Sequence, residues 1–213
     1  DSTGNAIGYD ADVAALVAKY LGLPMEVVQL TPPSRIPALE ANKVDFLVAT
    51  LAPTPERAKA VMFTIPYSAF QMGIYAKKGT PIKTWADLKG RKVGVNRGSS
   101  VEREFVNREM ELNLTILRFE DDSTTMQALF SGQVDAIAGP DAQANAAIKA
   151  RGETETEVKF FFGMQPNSMT VRKDAYELKQ WLNNVIYYIK QNGELNAISE
   201  KWVGGPLPAL PTF

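Results

Sequence analysis

The sequence predicts an α/β fold of two similar lobes joined by two crossover strands. Part of the chain matches itself at an offset of 90 residues, where "IPALEANKVDFLVA" (36–49) answers "MQALFSGQVDAIAG" (126–139). Each copy has the pattern of a helix, a short polar turn and a buried strand. Two further apolar segments have the pattern of strands that connect the lobes. Two copies of a β-α-β-α-β unit therefore organise the chain.

The repeat defines the central elements of each lobe. Segments 44–49 and 134–138 are nearly continuous apolar runs, which is typical of parallel strands covered on both faces. Asp10 and Ser100 precede amphipathic patterns in the two copies, and both residue types are good helix N-caps. Gly22 is expected to end the first of these helices.

The first lobe is predicted to lack its opening strand. Segments 25–30 and 114–119 correspond as strands, and 92–95 supplies a further strand in the second copy. The counterpart of that strand falls at about residues 2–5, where "STGN" is a turn sequence. We expect truncation or processing at the N-terminus, such as removal of a signal peptide; the alternative is a lobe built without the strand.

Segments 71–80 and 163–172 are the predicted crossovers. They make residues 1–77 plus 165–213 the first lobe and 78–164 an inserted second lobe. A two-strand hinge of this kind suits closure around a ligand.

Composition excludes several classes of function. The 213 residues include 23 basic and 24 acidic side chains, a balance that argues against a nucleic-acid partner. The chain has no histidine and no cysteine, which excludes Ser-His-Asp and Cys-His nucleophiles and the common zinc sites. We expect no metal and no cofactor, although a carboxylate-only or lysine-based enzyme stays open.

Arg57 is the first candidate binding residue. Thr54 and Pro55 have the pattern of an N-cap and a first helical position, so Arg57 is predicted in the first turn of a helix. The helix dipole opposes a cation there by roughly 0.3–1 kcal/mol, a cost that a bound anion would offset. The alternative is a surface arginine paired with Glu56 or Glu40.

The second lobe offers candidates at the ends of its strands. The Ser99 and Ser100 amides follow a strand and a glycine, an arrangement that binds anions, although a plain N-cap is the alternative. Asp141 follows the next buried strand, where it is predicted either to hold an ammonium group or to cap a helix. Arg35 and Arg97 lie in loops near the same ends, as ligand contacts or as solvated charges.

Five blocks of sequence resemble those of the periplasmic amino-acid-binding proteins of ABC importers, the solute-binding family 3 group. They are "GYDADVAALVAKYLG", "RIPALEANKVDFLVATLAPTPERAKAVMFTIPY", "WADLKGRKVGVNRGSS", "ALFSGQVDAIAGPD" and "NGELNAISEKWVG". The resemblance covers almost the whole chain in the same order. It implies a periplasmic-binding-protein clamshell of two lobes, with ligand bound between them.

The resemblance also implies roles for individual residues. The arginine of the "TPER" block holds the substrate α-carboxylate in such proteins, so Arg57 takes that role. The segment from Thr50 through Leu51 to Ala52 supplies further contacts, but Ala52 stands where the family usually has Ser or Thr. Ser99 and Ser100 match the carboxylate contacts of the second lobe. Pro140 stands where the family has its ammonium-binding Asp, and Asp141 comes one residue later.

Together these observations predict a receptor that captures a free amino acid and delivers it to the membrane permease of an ABC transporter. Arg35 and Arg97 hint at a polar or acidic ligand side chain. We expect a monomer in the periplasm or elsewhere outside the cytoplasm, with a strand-exchanged dimer as the alternative. The other functional hypotheses are the sensor domain of a membrane receptor and an enzyme resembling cyclohexadienyl dehydratases.

Overall fold

The computed structural model describes residues 5–210, which form an α/β fold, as the sequence predicts. The α-helices are α1 (Tyr9–Leu21), α2 (Arg35–Glu40), α3 (Ser100–Val106), α4 (Glu109–Leu112), α5 (Asp122–Ser131), α6 (Asp141–Arg151), α7 (Tyr176–Gln191) and α8 (Glu194–Trp202). The strands are β1 (Phe46–Leu47), β2 (Val61–Lys77), β3 (Lys92–Asn96), β4 (Thr115–Phe119), β5 (Ala136–Pro140) and β6 (Thr156–Arg172).

The described chain divides into two compact units. Unit 1 contains residues 5–30, 34–69 and 165–210, and unit 2 contains 31–33 and 70–164. The long strands β2 and β6 each contribute residues to both units. The lobe boundaries at 77/78 and 164/165 stay a prediction, since compactness alone does not show which parts move together.

Unit 2 closely follows the pattern predicted from the sequence. Four of its strands lie in the order β2-β5-β3-β4, with β3 parallel to both β4 and β5. β5 is antiparallel to β2. The core beside this sheet is formed by buried side chains of β2, α5, β5 and α6, among them Tyr75, Met126, Leu129 and Ile137. Parallel β3 and β5 bring their carboxyl ends to the same edge of the sheet.

Unit 1 departs from the predicted pattern in its strands. β1 contains only two residues of the predicted 44–49 strand, and it pairs antiparallel with β6. Residues 25–30 do not form the predicted strand. Both failures have one physical reason: among residues 5–210, no strand lies against the second edge of β1 or against 25–30. The predicted gap at 2–5 falls mainly on residues 1–4, which lie outside the described residues.

The structure confirms the predicted end of α1 but contradicts the two predicted N-caps, Asp10 and Ser100. α1 ends at Gly22 in a left-handed conformation (φ 69°), as predicted. The helix begins two residues earlier than predicted, because Gly8 (φ 128°, ψ 179°) forms its N-cap and Asp10 lies in the first turn. Ser99 rather than Ser100 caps α3, and the amphipathic pattern after Ser100 is divided into the two helices α3 and α4.

The helix α7 of unit 1 is amphipathic. α7 buries Leu182, Val185, Ile186 and Ile189, which recur on one face of the helix. α2, β1 and the start of β2 enclose a small cluster of Leu39, Leu47, Leu51, Val61 and Phe63. Within 5–210, every helix is too short or too polar to cross a bilayer.

We predict that Leu129→Ala lowers the free energy of unfolding by about 2–5 kcal/mol, because it leaves a cavity in the core of unit 2. Leu129 is 1% exposed. The matched control is Met110→Ala, which shortens a 95% exposed side chain on another helix of the same unit and should change stability by less than about 0.5 kcal/mol. Urea unfolding measures both variants, and equal losses would contradict the assigned core.

Candidate functional site

The predicted binding residues of unit 1 lie around the main-chain segment that directly follows β1. The Arg57 guanidinium donates from Nη1 to the Ala52 carbonyl at 3.0 Å. The Arg35 guanidinium donates from Nη1 to the Thr50 carbonyl at 3.4 Å. The segment 49–52 is therefore bordered by two guanidinium groups, and the structure brings together all the site residues predicted in this part of the chain.

Two more carbonyls of this segment also have partners. The Tyr67 hydroxyl lies 3.0 Å from the Ala49 carbonyl oxygen. The Leu51 carbonyl accepts a hydrogen bond from the Ser168 amide at 3.2 Å. The Leu51 side chain is 3% exposed within the unit 1 core, so a ligand could meet Leu51 only through its main chain.

Arg57 is not in the α-helix predicted from the sequence. Residues Arg57–Lys59 form a three-residue 3-10 helix, and β2 begins at Val61. The Thr54 side chain does accept from the Arg57 amide at 3.2 Å, but the few residues before β2 leave room for one turn only. The argument from a helix dipole is therefore wrong for this site. The Arg57 guanidinium instead contacts the main chain at Ala52.

Asp10 forms a polar cluster that the sequence interpretation missed. Its Oδ1 accepts from the Tyr67 hydroxyl at 2.6 Å, and its Oδ2 accepts from the Thr50 hydroxyl at 3.3 Å. Tyr67 is fully buried. Burial raises the pKa of Asp10, against the lowering effects of the Tyr67 hydrogen bond and the Arg35 charge. Asp10 was expected only to cap α1, and its partner Tyr67 is 57 residues away, so no local pattern reveals the cluster.

The bond to Asp10 restricts what Thr50 can offer a ligand. A hydroxyl has one hydrogen to donate and two lone pairs that accept. While Thr50 donates to Asp10, its oxygen can accept from an ammonium group but cannot donate to a carboxylate. Asp10 and Thr50 thus present acceptors beside the cation of Arg35.

The turn before α3 in unit 2 is closed by its own side chains. The Ser99 hydroxyl accepts from the Glu102 amide at 3.0 Å, and Glu102 Oε2 accepts from the Gly98 amide at 2.6 Å. The Ser99 amide donates to the Asn96 carbonyl at 3.3 Å. The Ser99 amide, which was expected to bind an anion, therefore already has a partner within its own turn. Ser100, the first residue of α3, follows directly.

Arg97 is a half-exposed ion-pair partner. Its Nε lies 3.0 Å from Glu120 Oε1, and the two side chains are 51% and 59% exposed. Its amide donates to the Phe119 carbonyl at 2.8 Å. The charge of Arg97 is thus largely balanced within unit 2, which removes one of the two reasons for expecting an acidic ligand.

Asp141 lies at the same edge of the unit 2 sheet. It is the first residue of α6, with Pro140 at the N-cap position, and its Oδ1 accepts from the Ala142 amide at 2.8 Å. Burial raises its pKa, against the effect of hydrogen bonds from the main chain of Ala142 and Gln71. The carboxylate therefore makes a local contact with its own helix and is also partly shielded from water.

Two further features surround this edge. The buried Tyr75 hydroxyl has no hydrogen-bond partner among residues 5–210, and burial together with the Asp141 charge raises its pKa. Asn96, at the end of β3, donates to Asp122 at 2.6 Å and accepts from the Thr125 hydroxyl at 2.5 Å. A surface depression with room for little more than one water molecule is lined by Asp122, Thr125, Met126, Ile137, Ala138, Gly139, Pro140, Gln143 and Ala144.

Comparison with known proteins assigns the family. The profile of the bacterial extracellular solute-binding proteins, family 3, matches residues 1–205. The chain therefore belongs to this family, as the sequence blocks indicate.

Individual relatives and solved structures are similar to the chain over most of its length. The L-cystine-binding protein TcyJ of Escherichia coli (strain K12) is 29% identical over 203 residues, covering 94% of this chain and 76% of the relative. An ancestral arginine-binding protein bound to arginine has a TM-score of 0.88 and 35% identity, over 95% of this chain and 90% of the other. AncCDT-1, an ancestral amino acid-binding protein and precursor of cyclohexadienyl dehydratase, has a TM-score of 0.85 and 32% identity over 95% and 88%.

Asp10 and Asp12 are predicted to affect stability with opposite pH dependence. The pKa of Asp10 is raised above 3.8, so the folded state binds this proton more tightly, and its contribution is lost as pH rises through the folded pKa. For Asp12, burial acts to raise the pKa, but hydrogen bonds from Lys201 at 2.6 Å and Trp202 at 2.8 Å lower it overall. Its contribution is present above the unfolded pKa and is lost as pH falls.

Urea unfolding of Asp10→Asn and Asp12→Asn between pH 3 and 7 tests this pair. The stability of the parent chain relative to Asp10→Asn should fall with rising pH, and relative to Asp12→Asn it should rise. Slopes of the same sign would contradict the assigned environments.

Proposed function

We propose that this chain is the substrate-binding receptor of an ABC importer, which captures a free amino acid and delivers it unchanged to the membrane permease. The observation that carries the proposal is the arrangement of Arg57 and Thr50 around one short main-chain segment. A guanidinium binds a carboxylate with two parallel hydrogen bonds, and a hydroxyl lone pair accepts from an ammonium group. An amino acid carries both groups on one carbon.

Unit 2 supports the proposal through Asp141 and Ser100. Asp141 follows β5 where open α/β sheets bind ligands, and its ionised form would attract an ammonium group. Because the Gly98 and Ser99 amides have partners in their own turn, we assign no carboxylate contact to these two amides. Ser100 keeps its proposed role as a carboxylate contact.

We propose the class of ligand from the relatives. The charges of Arg35 and Arg97 do not favour one type of ligand side chain over another. Relatives named for cystine and arginine support a free amino acid. Arg35 donates to the Thr50 carbonyl, and its charge acts on Asp10, while Arg97 pairs with Glu120. Neither arginine is thus a reason to choose an acidic amino acid. Family membership indicates a position outside the cytoplasm, and we propose the periplasm.

We expect Arg57→Ala to weaken amino-acid binding at least a hundredfold, because charged hydrogen bonds to the carboxylate are lost. A thermal-shift screen of the twenty amino acids identifies the ligand, since a bound ligand raises the apparent stability. Calorimetry with that ligand then compares Arg57→Ala with Arg103→Ala, which removes an exposed guanidinium in unit 2. Unchanged affinity in Arg57→Ala, with its fold intact by circular dichroism, would contradict the proposed carboxylate contact.

An enzyme is the second candidate, supported by the AncCDT-1 relationship and the raised pKa of Asp141. General acid catalysis needs an acid that stays protonated near neutral pH. The hydrogen bonds from Ala142 and Gln71 act against protonation of Asp141. We therefore expect no turnover of prephenate or arogenate by the purified chain, measured by chromatography. Turnover that Asp141→Asn abolishes would replace the receptor proposal with the enzyme.

A further inference from the structure

The Tyr67 hydroxyl has one hydrogen to donate and two acceptors within reach. Its oxygen lies 2.6 Å from Asp10 Oδ1 and 3.0 Å from the Ala49 carbonyl oxygen. A phenol donates one hydrogen bond and also accepts through its lone pairs. When Asp10 is ionised, Tyr67 donates to it. When Asp10 is protonated, Tyr67 can accept a hydrogen bond from the carboxyl group and donate to Ala49 instead. Both charge states of Asp10 therefore have hydrogen-bond partners in this cluster.

The titratable and charged side chains that face Asp10 in the described part of the chain keep a constant charge in the acid range. They are Arg35 of α2, Tyr67 of β2 and Tyr9 of α1. A guanidinium stays protonated in proteins. Burial, followed by the charge of Asp10, raises the pKa of both tyrosines, so their hydroxyl groups stay neutral. Asp10 is therefore the group of this cluster that changes its charge.

Thr50 connects Asp10 to the proposed ligand. Its hydroxyl donates to Asp10 Oδ2 at 3.3 Å, and its amide also donates to this carboxylate. These bonds direct the hydroxyl hydrogen toward Asp10 and leave lone pairs of the oxygen for an ammonium group. An ammonium nitrogen in hydrogen-bond contact with Thr50 would lie within about 6 Å of the carboxylate, where opposite charges attract appreciably.

We infer that Asp10 is a positioning residue for the amino acid, which acts through the Thr50 hydroxyl and loses its proton when the ligand binds. The inference rests on the receptor function proposed above, because it needs the ligand ammonium group beside Thr50. Two guanidinium groups, those of Arg35 and Arg57, border the same segment and repel an ammonium group. Ionised Asp10 offsets that repulsion.

The charge of Asp10 gives ligand binding a defined pH dependence. Burial raises the pKa of Asp10 in the chain without ligand. A bound ammonium group lowers this pKa, because an opposite charge nearby favours the ionised form. Binding therefore releases a proton when the pH is close to the ligand-free pKa. The affinity rises with pH through this range and is constant above it.

Calorimetry in two buffers of different ionisation enthalpy measures the protons released on binding. The amino acid that the thermal-shift screen identifies is titrated into the whole chain at intervals between pH 4 and 8, with the fold checked by circular dichroism. We expect the affinity to rise about tenfold, which corresponds to a lowering of the Asp10 pKa by about one unit. The release of up to one proton should coincide with this rise.

Asp10→Asn should remove both the proton release and the rise in affinity. The matched control is Asp12→Asn, which changes a carboxylate on the same helix that is bonded to Lys201, and it should retain both. Asp141→Asn should also retain the part that depends on Asp10. Amino-acid binding without a proton release that Asp10→Asn removes would overturn the inference and leave the receptor function standing. Failure of every amino acid to bind would overturn both.

The partners of Asp10 provide a directional test. Tyr67→Phe removes a hydrogen bond that lowers the pKa of Asp10, so the rise in affinity should move to higher pH. Thr50→Ser should retain the proton release. The double variant Asp10→Asn with Thr50→Val should bind within about threefold of the weaker single variant, because both changes interrupt one connection. A shift to lower pH in Tyr67→Phe, or additive losses in the double variant, would overturn the action of Asp10 through Thr50.

Discussion

The hydrogen bond from Arg57 to the Ala52 carbonyl determines where unit 1 presents a positive charge. Arg57 lies in a three-residue 3-10 helix, which provides little dipole and little rigidity of its own. Its guanidinium is instead positioned by the main chain of 49–52. That segment accepts hydrogen bonds in turn from Arg35 and from the Ser168 amide. The proposed carboxylate contact therefore depends on a network of carbonyl contacts rather than on a helix.

The segment 49–52 also brings the Arg35 guanidinium close to the hydrogen-bond acceptors of Asp10 and Thr50. Asp10 takes hydrogen bonds from Tyr67 and Thr50 on the side of the segment where Arg35 also donates. A buried carboxylate without partners would lower the free energy of unfolding by several kcal/mol. Here two hydroxyl groups and a nearby guanidinium offset part of that loss. The remaining effect of burial is the raised pKa of Asp10.

The sequence predicted unit 2 more accurately than unit 1, for a physical reason. The strands at 92–95, 114–119 and 134–138 were recognised from apolar runs, and each has a neighbour to pair with. The segment at 25–30 has an equally apolar pattern, but a strand needs a partner for its main-chain groups, and local sequence does not report one. The length of β1 was overestimated for the same reason.

Local sequence motifs indicate which candidate residues lie close together, but they do not reveal hydrogen bonds between residues that are distant in the sequence. Arg57, Thr50 and Ala52 lie within eight residues, and the structure places the Arg57 guanidinium on the Ala52 carbonyl, while their contact with a ligand stays a prediction. The Asp10–Tyr67 bond joins residues 57 apart, so only the fold reveals it. The turn at Ser99 was assigned to ligand binding because amides before a helix often bind anions, but the Glu102 carboxylate already occupies the Gly98 amide. Sequence shows which groups can bind, and side-chain partners decide which remain available.

The central claim is that Arg57 contacts the ligand directly, and nitrogen-15 spectroscopy of the arginine side chains tests it. The Arg57 signal is assigned by its absence from the spectrum of Arg57→Lys. Addition of the amino acid that the screen identifies should shift this signal and slow rotation of the guanidinium, in proportion to the saturation seen by calorimetry. Saturable binding that leaves the Arg57 signal unchanged would contradict the account.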